Sequence, residues 1–231
     1  MIDRPGPIGP ALRCRNEGFA ARKTIGVGRS FGDAGHVSDS RTPAERIEGA
    51  DPFPVRFPVV ALVASAGGID ALIRVLAPLP VDLPAAVLVA LHQDPIRASH
   101  LVAILQRAIG LPIAAASDGD AMRPGCALVA PPGRHMLVTS TAQVGLIESG
   151  EPPPSRPSAD LLLATLAVTC GSRALAVVLT GMGHDAQAGV RAIAHCGGTI
   201  LAQDATSSTV WNGPAETSGV SGGARQSASI C

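Results

Sequence analysis

The chain has 231 residues, 46% hydrophobic, 16% charged and 2% aromatic, with 18 basic and 18 acidic side chains and a formal net charge of zero. Zero net charge removes global steering toward nucleic acid or anionic lipid, and four Phe, one Trp and no Tyr are too few for a single-strand stacking platform. Gly and Pro, at 26 and 20 residues, stay below the roughly 25–30% that marks a low-complexity chain, so the apolar fraction can fill a core.

Residues 1–56 carry 9 of the 18 basic and 7 of the 18 acidic side chains, with frequent Gly and Pro. Without a sustained period of 2 or 3.6, this segment reads as a mostly disordered leader. Its start, Met1-Ile-Asp-Arg-Pro-Gly-Pro7, has an acid and prolines where a secretory signal needs an apolar stretch. The pattern changes at Phe57. Pro58–Val63 is a short β-rich run, closed by Ser65-Ala-Gly-Gly68, and Ile69–Leu76 reads as a helix stopped by Pro78. Ala85–Leu91 is a second continuous apolar run, ended by His92. Ser99 can cap a helix through Ile109, with Gly110 beyond it.

Cys126–Ala130, His135–Thr139 and Gln143–Glu148 follow as three short strands separated by turn residues, read as antiparallel. Ser158 can cap a helix over Asp160–Thr169, with Gly171 past its end. Ala174–Leu179 is a third buried strand. Thr180-Gly-Met-Gly-His-Asp185 leads into a helix to His195, and Thr199–Ala202 is one more strand. Continuous apolar strands alternating with capped helices predict a doubly wound α/β fold: a mostly parallel sheet with helices on both faces and a small antiparallel insertion near 126–148. No apolar run approaches the roughly 20 residues that span a bilayer, so no membrane insertion is expected. The five scattered cysteines, Cys14, Cys126, Cys170, Cys196 and Cys231, form no C-x-x-C pair and fit reduced thiols in a cytoplasmic protein.

Active sites of such folds gather at the carboxyl ends of the strands. Three polar residues follow three predicted strands: Ser65, His92 and Asp185. Each has a bland alternative. A Ser-x-Gly-Gly turn can cap a helix or cradle a phosphate, a histidine at a strand end can be structural, and Asp185 can cap the helix it begins. Together they supply a nucleophile, a base and a carboxylate, the set that acyl transfer requires. His135 and His184 read as rim or loop residues, and no ligand spacing supports a metal site. Gln203 and Asp204 either line the site or cap a turn.

At these residues the sequence resembles the catalytic domain of the chemotaxis protein-glutamate methylesterases, the CheB family. The resemblance covers about residues 57–210 and rests on Val63-Ala-Ser-Ala-Gly-Gly68, Ala90-Leu-His-Gln93, Asp118-Gly119 with Pro124-Gly125, Val129-Ala-Pro-Pro132 with His135, Arg156-Pro-Ser-Ala-Asp160, Leu179-Thr-Gly-Met-Gly-His-Asp185, Gly197-Gly198 and Ala202-Gln-Asp204. It implies Ser65 as nucleophile, His92 as general base and Asp185 as the residue orienting His92. It also implies an oxyanion hole from the backbone N–H groups of Ala66 and Met182, a substrate groove including Arg156 and Met182, and neither metal nor cofactor. The implied reaction is hydrolysis of glutamyl γ-methyl esters, and deamidation of glutamines, on the cytoplasmic domains of chemoreceptors.

Three departures qualify the resemblance. Ala66 stands where the family usually has Thr, which removes a side chain but keeps the backbone donor. Residues 1–56 are too short for the receiver domain common in this family, so the activity is expected to be either constitutive or controlled by a separate phosphorylation-dependent regulator in trans. Residues 211–231 form a polar, Gly/Ser-rich tail unlike the family pattern. Two other readings therefore stand beside the esterase: a catalytically impaired receptor-binding module and a generic serine esterase.

Overall fold

The computed structural model describes residues 53–180 and 185–204. The expected leader, apart from Phe53–Arg56, and the expected tail from residue 211 lie outside the described residues, as does Met182. The first elements are β1 (Val59–Ala64), α1 (Gly68–Leu76), β2 (Ala86–Leu91), α2 (Leu101–Ala108), β3 (Ile113–Ala115) and β4 (Ala127–Val129). They are followed by β5 (Arg134–Val138), β6 (Val144–Glu148), α3 (Ala159–Cys170), β7 (Ala174–Val178), α4 (Gln187–His195) and β8 (Thr199–Ala202).

Six strands form one sheet in the order β3-β4-β2-β1-β7-β8, and every pairing in it is parallel. The continuous apolar runs explain this. β2 is buried along its whole length, which only a sheet covered on both faces allows. Successive residues of β1 serve opposite faces. Leu62 packs with Leu72 and Leu76 of α1 and Leu101 and Leu105 of α2. Ala61 and Val63 pack with Leu162, Leu163 and Leu166 of α3 and Val190 and Ile193 of α4. The buried hydrophobic side chains among the described residues include no aromatic, as the placement of the rings in the sequence implies. Val55 also belongs to this core.

The antiparallel insertion is smaller than the sequence suggests. β5 and β6 pair antiparallel, with Met136 opposite Leu146. β4, however, leaves that group and pairs parallel with both β2 and β3. Its three residues are all buried, the mark of a strand covered on both sides rather than a hairpin arm. β3 is an additional strand, too short to register as a period in the sequence.

From β1 the chain crosses toward β2; from β7 it crosses the other way, to β8. The carboxyl ends of β1 and β7 are therefore the topological switch point, where α/β sheets of this kind open a crevice.

Candidate active site

Ser65 stands one residue beyond β1. Its N–H donates to the Thr180 carbonyl at 3.0 Å, on the β7 side, and the His92 N–H donates to the Ala64 carbonyl at 3.0 Å, on the β2 side. Because Ala64 pairs with Leu91, Ser65 and His92 oppose each other across strands about 4.8 Å apart. The sheet register makes the two positions neighbours. Beyond Ser65 the chain turns sharply: Gly67 takes φ 74°, a left-handed conformation that costs a side-chain-bearing residue energy and glycine almost none. Gly68 N–H closes the turn on the Ser65 carbonyl at 2.9 Å.

This turn does not use Ser65 as a helix cap. Gly67 is the N-cap of α1, and no side chain bonds to that helix start. Among the described residues the Ser65 hydroxyl makes no hydrogen bond, and the Ala66 N–H finds no acceptor. The positive end of α1 thus points into the space beside Ser65. Thr180 and Gln203 brace the turn from behind: Thr180 Oγ1 donates to the Ala66 carbonyl at 3.3 Å, and Thr180 N–H donates to Gln203 Oε1 at 2.9 Å. Gln203, which the sequence left either to line the site or to cap a turn, is buried and accepts from the Thr180 N–H.

His92 Nε2 lies 2.8 Å from Asp185 Oδ2, with side-chain exposures of 24% and 9%. An ionised carboxylate can only accept, so the neutral imidazole carries its proton on Nε2 and keeps the Nδ1 lone pair free. Asp185 is held on both oxygens. Oδ2 also accepts from Ala159 N–H at 2.8 Å, while Oδ1 accepts from Ser158 Oγ at 3.1 Å and Asp160 N–H at 3.0 Å. Burial opposes its charge, but hydrogen bonds from His92 and from the Ala159 and Asp160 amides hold the carboxyl below its ordinary value.

The helix that Asp185 caps is α3, not the α4 that follows it in sequence. α4 in turn receives Asp160, whose Oδ1 accepts from Gly189 N–H at 2.7 Å. Two helix starts therefore exchange carboxylates. The exchange needs close approach: a Cβ on Gly189 would lie 2.5 Å from Leu163 Cβ. Burial pushes the Asp160 carboxyl up; the Gly189 amide opposes this and the Asp185 charge reinforces it.

Of the other sequence candidates, Arg156 donates from Nη1 to the Gly150 carbonyl at 3.0 Å, and its own carbonyl accepts from Gln93 N–H at 3.0 Å. Arg156 thereby ties the segment before α3 to the residue after His92. His135 is not a rim residue. It is 3% exposed, and its Nδ1 accepts from Ser158 N–H at 2.9 Å. A histidine on β5 next to a serine cap gives no local sequence signal, because the contact spans 23 residues. Cys170 is buried in the core, with its thiol pushed up to about 12 by burial. The described residues include no group of three or more metal-ligating side chains, and none of their helices is long and apolar enough to cross a membrane.

Comparison with known proteins adds an independent line. A family model described as CheB methylesterase matches residues 60–224. A protein-glutamate methylesterase/protein-glutamine glutaminase of Moorella thermoacetica is 42% identical over 160 residues, covering 68% of this chain and 38% of that protein. A protein-glutamate methylesterase/protein-glutamine glutaminase 3 of Geobacter sulfurreducens is 35% identical over 206 residues, covering 87% of this chain and 55% of that protein. The crystal structure of the Thermotoga maritima CheB methylesterase catalytic domain superposes with a TM-score of 0.70 at 28% identity, covering 76% of this chain and 94% of that one. The chain thus spans between 38% and 55% of the length of these two curated relatives.

Proposed function

The chain belongs to the CheB methylesterase family, and from that premise we propose that it hydrolyses glutamyl γ-methyl esters on chemoreceptor cytoplasmic domains, and deamidates glutamines there, through a Ser65–His92–Asp185 acyl-enzyme mechanism. One observation carries the reading: Ser65 and His92 directly follow the paired strand-end residues Ala64 and Leu91, and His92 Nε2 lies 2.8 Å from Asp185 Oδ2.

In this mechanism Ser65 Oγ attacks the γ-carbonyl as His92 Nδ1 takes its proton. Asp185 keeps the Nε2 proton in place and stabilises the imidazolium without accepting that proton. The tetrahedral oxyanion forms against the Ala66 N–H, the open start of α1 and the Met182 N–H. Such a donor contributes about 3–4 kcal/mol, or 10²–10³ in rate. The C–O bond to the methoxy group then breaks, and His92 returns its proton so that methanol leaves. Water, activated by His92, hydrolyses the Ser65 ester and restores the enzyme. With a glutamine side chain the same steps release ammonia. By the family resemblance, Arg156 and Met182 are assigned to the groove for the receptor segment. The site of action is the cytoplasm, where chemoreceptors present their methylated side chains.

The test is methanol release from methylated receptor peptides by wild type and Ser65→Ala, beside fluorophosphonate labelling. Loss of rate on the order of 10⁴- to 10⁶-fold in the variant, with loss of labelling, is the expected result. Undiminished release would overturn the assignment. Equal turnover of simple methyl esters would identify a generic esterase, and an inert, unlabelled wild type a binding module.

A further inference from the structure

Asp185 has two carboxylate oxygens, and only one rotation of the group presents Oδ2 to His92. What sets that rotation is visible on the opposite oxygen. Oδ1 is held by the Ser158 hydroxyl at 3.1 Å and by Asp160 N–H at 3.0 Å. The direction of the hydroxyl is itself determined. Ser158 Oγ accepts from Leu161 N–H at 3.3 Å as the N-cap of α3, which leaves its proton to point at Asp185.

The Ser158 backbone is anchored in turn. An N-cap residue's own N–H lies outside the helical ladder and, when buried, needs another acceptor. Ser158 is 1% exposed, and its N–H donates to His135 Nδ1 at 2.9 Å. His135 Nε2 lies 3.3 Å from the Ser149 carbonyl. An amide donor on one nitrogen and a carbonyl acceptor on the other define a neutral imidazole with its proton on Nε2. His135 belongs to β5 and Ser149 follows β6, so the small hairpin reaches the main sheet's site through these two bonds.

We propose that Ser158 and His135 are positioning residues of the hydrolytic centre: His135 fixes the Ser158 backbone, and the Ser158 hydroxyl sets the Asp185 carboxylate in the rotation that presents Oδ2 to His92. This rests on the catalytic reading of Asp185. It also gives the antiparallel hairpin a part in the site, since the Ser149 carbonyl and His135 begin a chain that ends at the imidazole. The order is Ser149 carbonyl, His135, Ser158, Asp185, His92. None of the first three touches the reacting atoms.

The rival explanation is that Ser158 only caps α3. Glycine separates the two, because it is nearly as good an N-cap as serine but has no hydroxyl for Asp185. The experiment compares wild type, Ser158→Gly, Ser158→Thr, His135→Leu and His135→Asn, reading kcat and KM for methanol release. In parallel, NMR observes the downfield ring proton shared by His92 and Asp185. Ser158→Gly and His135→Leu are expected to lose about 10- to 100-fold in kcat, the scale of a misplacement near 1 Å, with KM unchanged and the downfield proton broadened or shifted. Ser158→Thr restores the donor, and His135→Asn restores an acceptor near the Nδ1 position; each recovers most of the loss. Unchanged kcat and an unchanged proton signal in Ser158→Gly would overturn the proposal, as would failure of both conservative variants to rescue in folded protein. An inactive wild type would instead overturn the esterase reading, while the ring-proton signal would still report on positioning.

Discussion

Two helix starts meet at this site, and they are finished in opposite ways. α1 begins at Gly67 with no side-chain cap, leaving the Ala66 N–H and the positive helix end open beside Ser65. α3 begins under Ser158, and its first amides are closed by both oxygens of Asp185. In the proposed mechanism the same backbone dipole serves two purposes. Left open, it can receive a negative charge that exists only during reaction. Closed, it keeps a permanent negative charge ionised and immobile beside His92. A side-chain cap on α1 would compete with the first role, and an uncapped α3 would forfeit the second.

This contrast can be tested from its strongest side downward. Replacing the closing group by Asp185→Asn is expected to lower kcat by about 10⁴-fold, because an amide facing Nε2 favours the wrong imidazole tautomer. Steady-state methanol release checks this, and a loss below tenfold would remove Asp185 from the mechanism. Disturbing the open side should cost less. In Gly68→Ala the new Cβ would lie 2.6 Å from Leu91 Cδ1 and 2.7 Å from Ala64 Cβ, so the start of α1 must move away from the strands. A fall of about 100-fold in kcat is expected, with the His92–Asp185 ring-proton signal retained. Loss of that signal would mean the two helix starts are not independent.

The smallest effect is in stability against pH. The Asp185 carboxyl is lowered in the folded protein. Its contribution is therefore complete above the ordinary carboxylate pKa near 3.9 and is lost as the pH falls through the lower native value. Asp160 is raised and acts with the opposite sign, losing stability as the pH rises from the ordinary value through its native one. Thermal melts of Asp160→Asn should then show a steeper decline on acidification than wild type, and those of Asp185→Asn a shallower one. Identical slopes in all three would contradict the assigned directions.

Much of the fold is legible in the residues because burial on both faces writes itself as continuous apolar runs. Val59–Ala64, Ala86–Leu91 and Ala174–Val178 each carry that mark, and each is followed by one of the chemically interesting positions. The same mark is present in Ala127–Val129, yet only turn residues separate it from the next two short strands, and that spacing groups it with them as antiparallel. β3, at three residues, is shorter than any period. Ser158 was readable as a cap through its position before an apolar helix. The partner of that cap, and the burial of His135, were not.

What the sequence by itself determined was the alternation of strands and helices, and with it the strand ends that carry Ser65, His92 and the approach to Asp185. Those follow from local periodicity and turn chemistry. Only the tertiary structure decided that Asp185 closes α3 rather than α4, that Asp160 returns the favour to α4, and that His135 anchors Ser158. Each of these links joins residues 23 to 29 positions apart. A buried hydrogen bond at that distance depends on how two helices and a hairpin pack, and packing leaves no period in the chain.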